Sequence, residues 1–164
     1  IVTRLDKNTS GLVLIAKHRH IHALFSNMEI DKYYTALING KIDQHGIIEA
    51  PIRRVSSSII EREVGDDGEY AKTEYWLEKH NLKNNVSVVK LKLYTGKTHQ
   101  IRVHMKYLGY PLLGDELYGG NLSLITRQAL HCSNLAFIHP IIGEKINVSV
   151  NLPNDMNNVI KHNE

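Results

Sequence analysis

The sequence predicts an α+β fold, with many antiparallel strands and few helices on a mixed or antiparallel sheet. Residues 72–77 and 86–94 alternate apolar and polar side chains around a polar turn at 81–85, the pattern of half-buried antiparallel strands. Helical spacing is confined to short stretches, so strands must carry the architecture. With 164 residues, 42% apolar and 23% charged, the chain can bury the core of one ordinary domain.

The elements follow in order. Residues 7–11 read as a turn, and the apolar run 12–16 as a short buried strand. Ile21, Leu24, Phe25 and Met28 recur at helical spacing, which predicts a helix over 21–28. Residues 33–38 are β-rich and run into Asn39-Gly40, a favoured hairpin turn. Strands are expected at 47–53 and 58–64, with Gly65-Asp66-Asp67-Gly68 as a loop. Over 98–108, Ile101, Met105 and Leu108 form an amphipathic helix face, with Thr98 near its start. Gly109 can close that helix, and Pro111 stands just beyond it. Residues 112–118 read as a loop, 124–133 as a helix-to-strand region and 146–150 as a last strand. The polar tail from Pro153 is expected to fray.

Composition excludes some functions. No apolar run approaches the roughly 18–20 residues of a membrane helix. Cys132 is the only cysteine, so it cannot form an internal disulfide, which fits a reducing cytoplasm. The chain opens at Ile1 without the layout of a signal peptide. Its net charge is +3, and the bases cluster in two places. One holds Lys17, His18, Arg19, His20 and His22; the other holds Lys97, His99, Arg102, His104 and Lys106. Such clusters suit a phosphate-bearing partner, or simply make a solvated face.

Three segments could carry chemistry. Arg4-Leu5-Asp6-Lys7-Asn8-Thr9-Ser10-Gly11 places a carboxylate between cations in a turn. Asp6 there is either an ionised nucleophile or base, or the acceptor of an Asx turn. Thr95-Gly96-Lys97-Thr98-His99-Gln100-Ile101-Arg102-Val103-His104 feeds a glycine turn into a helix start, without the glycine spacing of a P-loop. Arg102 can clamp a carboxylate with two bonds or lie on a helix surface. In Lys32-Tyr33-Tyr34-Thr35-Ala36 a tyrosine can stack on a base or merely pack. His18, His20 and His22 alternate as strand-borne metal ligands would, but no local Cys, Asp or Glu completes a set. Ser10 lacks a nucleophile elbow.

In this order, the three segments resemble the RluA-like pseudouridine synthases. Arg4 to Gly11 is similar to the family's His-Arg-Leu-Asp-x-x-Thr-Ser-Gly loop, Lys32 to Leu37 to its Lys-x-Tyr-x-Ala strand, and Thr95 to His104 to its Thr-Gly-Arg-Thr-His-Gln-Ile-Arg-x-His block. Gly109-Tyr110-Pro111-Leu112-Leu113-Gly114-Asp115, Leu117-Tyr118-Gly119, Leu130-His131 and His139-Pro140 continue the resemblance over nearly the whole chain.

The resemblance implies the pseudouridine synthase catalytic fold, an α+β fold with a mixed, mainly antiparallel sheet and flanking helices and loops. It also implies the isomerisation of uridine in structured RNA, ribosomal or transfer, without cofactor, metal or membrane. It makes Asp6 the nucleophile, Tyr34 the residue stacking on the flipped uracil, and Arg102 the partner that lowers the pKa of Asp6 and orients it. Arg4 would enter the RNA stack as the base leaves it, since a stacked uridine hides its glycosidic bond. Lys17, Arg19, Lys97, His99 and Lys106 become RNA contacts. Thr3 stands where the family has histidine. The family also carries a strand-rich segment before this loop, so residues 1–164 are expected to be a catalytic domain lacking its front part. The alternative is an RNA-binding fragment with impaired catalysis.

Overall fold

The computed structural model describes residues 1–161. In chain order the elements are β1 (Ser10–Gly11), α1 (Arg19–Phe25), β2 (Ile30–Asn39), β3 (His45–Glu49), β4 (Ile52–Arg54), β5 (Arg62–Val64), β6 (Lys72–Asn81), β7 (Val86–Leu93), α2 (Gln100–Tyr107), a 3-10 turn at Glu116–Tyr118, β8 (Leu130–Ile138), β9 (Lys145–Ser149) and α3 (Asn154–Lys161). Among the described residues, seven strands form one sheet in the order β1-β8-β2-β7-β6-β3, with β9 also on β8, while β4 and β5 form a separate ribbon. Its pairs are antiparallel except β1 on β8, which makes the sheet mixed and mainly antiparallel, as the family resemblance implies. No helix among the described residues is long and apolar enough to cross a membrane.

Strand alternation explains how β2 sits at the centre. Tyr34, Ala36 and Ile38 face one way, into a core with Ile101 and Met105 of α2. Leu37 faces the other way, into a second core with Met156 and Val159 of α3. A strand covered on both faces loses its polar positions, so Tyr34 to Ile38 is buried without interruption.

Several expectations are corrected. Residues 12–16 form no strand: after the Leu12 N–H meets the Cys132 carbonyl, the chain leaves β8 and closes on its own start, Val2 N–H donating to the Leu14 carbonyl at 2.8 Å. Asn39-Gly40 does not join neighbouring strands, because the β6–β7 hairpin occupies the place beside β2 and β3 pairs instead with β6. The strand expected at 47–53 breaks at Pro51, which has no N–H to donate, and its halves enter different sheets. Residues 58–61 form a turn in which the Ser58 hydroxyl accepts from the Ile60 and Glu61 N–H groups, so only Arg62–Val64 remains extended. No helix forms over 124–133; Ile125 and Ala129 are buried in irregular chain before β8. The tail to Lys161 is helix α3 rather than frayed, since Met156 and Val159 bury one side of it. The rest of that tail lies outside the described residues.

Candidate active site

The Asp6 loop is a turn closed by the Thr9 N–H donating to the Asp6 carbonyl at 3.0 Å. Asn8 takes the left-handed conformation at φ 71°, which asparagine tolerates better than most residues. Gly11 has φ 116°, and a Cβ there would run into the Cys132 backbone, so only glycine lets β1 lie against β8. The loop is held from behind. Gln128 donates to the Lys7 carbonyl at 2.6 Å and to the Thr9 hydroxyl at 3.2 Å. Arg127 donates from Nη1 to the Asn8 carbonyl at 3.1 Å, while its Nε and Nη2 grip Asp155 of α3 at 2.6 and 2.9 Å. The Asp6 side chain keeps 22% of its surface exposed.

Arg102 projects from α2 and is buried. Its Nε and Nη2 donate to the two carboxylate oxygens of Asp115 at 2.7 and 2.8 Å, and Nη1 lies 3.9 Å from Asp6 Oδ2. The Tyr118 ring lies 4.8 Å from the guanidinium carbon. The two-bond clamp open to Arg102 is therefore made with Asp115, and the expected pairing with Asp6 is the longer contact of the third corner of the guanidinium. The cause is local: the turn at Gly114, φ 71°, brings the buried Asp115 in line with the fork.

No side chain caps the start of α2, and an unexpected residue, Gln100, braces the turn that leads into it. His99 is the cap position, left-handed at φ 58°, and its side chain makes no cap bond. Gln100 Oε1 instead accepts from the Lys97 N–H at 2.9 Å and the Thr95 hydroxyl at 2.8 Å. His99 Nδ1 lies 2.8 Å from the Tyr118 hydroxyl, and burial lowers its pKa, with Arg102 adding to the effect. His104 belongs to no basic surface: its ring nitrogens sit 2.9 Å from the Thr73 hydroxyl and 2.9 Å from the Ala50 carbonyl, inside the core.

Asp6, Tyr34 and Arg4 line one cleft of about 380 Å³ together with Lys32, Gly96 and Lys97. That volume falls in the range of about 300–1,000 Å³ usual for small-molecule sites. Tyr34 is buried but for 6% of its surface, and burial pushes its phenol pKa upward, with the Cys132 thiol beside it acting in the same direction.

Lys17, Arg19, His99 and Lys106 do not line this cleft. Lys17 and Arg19 are exposed before and at the start of α1, where His18, the extended residue just before the helix, stacks at 5.7 Å on His20 in its first turn rather than alternating with it on a strand. Lys97 pairs with Glu69, and Lys106 lies 3.6 Å from Glu61. Sequence reasoning missed the supports: Asp115, Tyr118, Gln128, Arg127 and Asp155. Asp115 stands within a quoted motif, yet its pairing across the α2 C-terminal turn left no local pattern to read.

A model of the RNA pseudouridylate synthase family matches residues 1–107, and the chain belongs to that family. It is 46% identical over 166 residues to the uncharacterized RNA pseudouridine synthase YjbO of Bacillus subtilis, across 98% of this chain and 58% of YjbO. It is 34% identical over 174 residues to ribosomal large subunit pseudouridine synthase D of Zymomonas mobilis, across 98% of this chain and 55% of that protein. Human RNA pseudouridylate synthase domain containing 1 superposes with a TM-score of 0.79 at 30% identity, over 92% of this chain and 67% of the human one. The chain thus spans somewhat more than half the length of the curated relatives it matches.

Proposed function

We propose that this chain isomerises uridine to pseudouridine in structured RNA, ribosomal or transfer, with Asp6 as the nucleophile. The observation that carries the reading is the convergence of a part-exposed Asp6 and a buried Tyr34 on one cleft, with Arg102 behind Asp6. The Asp6 carboxylate forms a bond to ribose C1′ as the N1–C1′ bond breaks, and the N1–C1′ electron pair leaves with the base. Uracil turns on the Tyr34 ring, and C5 forms the new bond to C1′ as the Asp6–C1′ bond breaks and its electron pair returns to the carboxylate. The hydrogen on C5 then leaves as a proton while N1 takes one up, so nothing is oxidised or reduced and no cofactor is needed. The target must first be extruded from its stack, which is the role of Arg4 at the cleft mouth. Exposed Lys17 and Arg19, with Lys97, His99 and Lys106, contact the surrounding RNA.

The experiment follows from the lost C5 proton: release of tritium from C5-labelled uridine in RNA. Release by the parent chain, and its loss in Asp6→Asn with fold and RNA binding kept, is the expected result. RNA binding without release would instead identify a catalytically impaired fragment. Residual Asp6→Asn activity within about tenfold of the parent, a barrier change of only about 1.4 kcal/mol, would remove Asp6 as nucleophile.

A further inference from the structure

β2 enters the cleft with Lys32 two residues before Tyr34, and strand alternation puts both side chains on one face of the sheet. Lys32 is part-buried, and among the described residues no carboxylate lies within ion-pair distance of its ammonium. Its neighbours on the sheet differ: Lys72 pairs with Glu49 and Lys92 with Asp31. Burial lowers the Lys32 pKa, as expected for a cation that has lost water and gained no anion, although the Cys132 thiol acts the other way. The facing wall is bare at Gly96, where an added Cβ would stand 3.7 Å from Lys32 Nζ. An unpaired, part-buried ammonium is unfavourable in an empty cleft and becomes favourable once a ligand supplies the missing negative charge. RNA carries one such charge at a fixed distance from every base: its phosphodiester.

We propose that Lys32 binds the phosphodiester adjoining the target uridine and so sets how far that nucleotide enters the cleft. This rests on the reading of the cleft as an RNA site. The alternative donor target, a uracil carbonyl, is neutral before the glycosidic bond breaks, so an ammonium aimed at it would act on turnover rather than on affinity. A phosphate contact acts on affinity, because the phosphate carries the same charge before and after reaction.

The test couples a protein change to an RNA change. RNAs are made with one neutral methylphosphonate on either side of the target uridine, the adjacent 2′-hydroxyl being methylated, with matched methylated controls. Lys32→Gln is expected to weaken binding of the control RNA about tenfold or more. It should also flatten the salt dependence of log affinity by about 0.7. One methylphosphonate should weaken the parent by a similar factor and leave Lys32→Gln unaffected, the signature of a shared contact. Lys32→Arg keeps the charge and should keep the coupling, which also covers the case that Lys32→Gln does not fold. Unchanged affinity in Lys32→Gln overturns the proposal, as does equal sensitivity of parent and variant to both methylphosphonates. A loss confined to turnover overturns it too and moves the ammonium onto the base. Coupling without tritium release would leave the phosphate contact standing and remove only the isomerase reading.

Discussion

Asp115 holds Arg102 by both ends of its fork, at 2.7 and 2.8 Å, and the guanidinium nitrogen left over lies 3.9 Å from Asp6. The arginine cannot swing toward Asp6 without giving up two charge-assisted bonds. The geometry therefore fixes the direction of the positive field at Asp6 and keeps the cation from collapsing onto the carboxylate.

Asp115→Asn is expected to lower stability by about 3–5 kcal/mol, the usual effect of removing one partner of a buried ion pair. At temperatures where the variant stays folded, kcat should fall while RNA affinity holds, because Arg102 loses its orientation. Denaturant melts and single-turnover kinetics read the two effects, and an unchanged kcat would reduce Asp115 to a packing role. Arg102→Lys should fail to restore turnover, since an ammonium cannot span both Asp115 oxygens and still face Asp6.

Tyr34→Phe is expected to retain RNA affinity, because the stacking face survives. Tyr34→Ala should lose about 1–3 kcal/mol of binding. With its pKa raised by burial, the phenol stays protonated at neutral pH, so any proton work it does would be as a donor or relay rather than as a ready base. A loss of turnover in Tyr34→Phe assigns that proton work to the hydroxyl, and normal turnover restricts Tyr34 to stacking.

Burial lowers the pKa of His104 inside the core, so the unfolded chain takes up a proton that the folded chain refuses. More protons on the unfolded side mean that stability rises with pH. Stability should therefore be full above the unfolded histidine value of about 6.5 and decline as pH falls below it. Urea midpoints measured from pH 8 down to pH 5 should show this slope, and His104→Gln should flatten it while lowering the plateau. An unchanged slope in that variant would place the titration at His99 or His131, whose pKa values burial also lowers.

Removing Lys17 or Arg19 should weaken different RNAs about equally and flatten the salt slope by about 0.7 each. Glu69→Gln should tighten RNA binding, because it frees Lys97 from an exposed pair worth only about 0–1 kcal/mol. Arg4→Ala should slow turnover of a paired uridine more than that of an already unstacked one, since only the former must be helped out of its stack. Equal slowing of both would deny Arg4 that role.

The hairpin of β6 and β7 and the helix α2 were legible because each repeats its own period over many residues. Asp6, Tyr34 and Arg102 were legible as members of short ordered motifs. What escaped depends on partners far along the chain. Arg102 looked free to clamp Asp6 because nothing local shows that Asp115 reaches it first. Residues 12–16 have a strand's composition but no strand to pair with after Leu12, because β9 takes the edge of β8 from Asn134 onward. Helix α3 presents Met156 and Val159 to the core with Ile160 packed beside them, too few to separate it by pattern from a polar tail.

Arg127 fastens the Asn8 carbonyl and the Asp155 carboxylate with one guanidinium, so the first turn and the last helix share a latch. Asp155 owes its lowered pKa chiefly to that hydrogen bond from Arg127. The contribution of the pair is complete above the ordinary carboxylate range and disappears only as pH falls through the lowered value. Mild acid thus leaves the latch closed. Shortening the chain ahead of Asp155 opens it at any pH, and the slack would appear more than a hundred residues away, in the turn that aims Asp6.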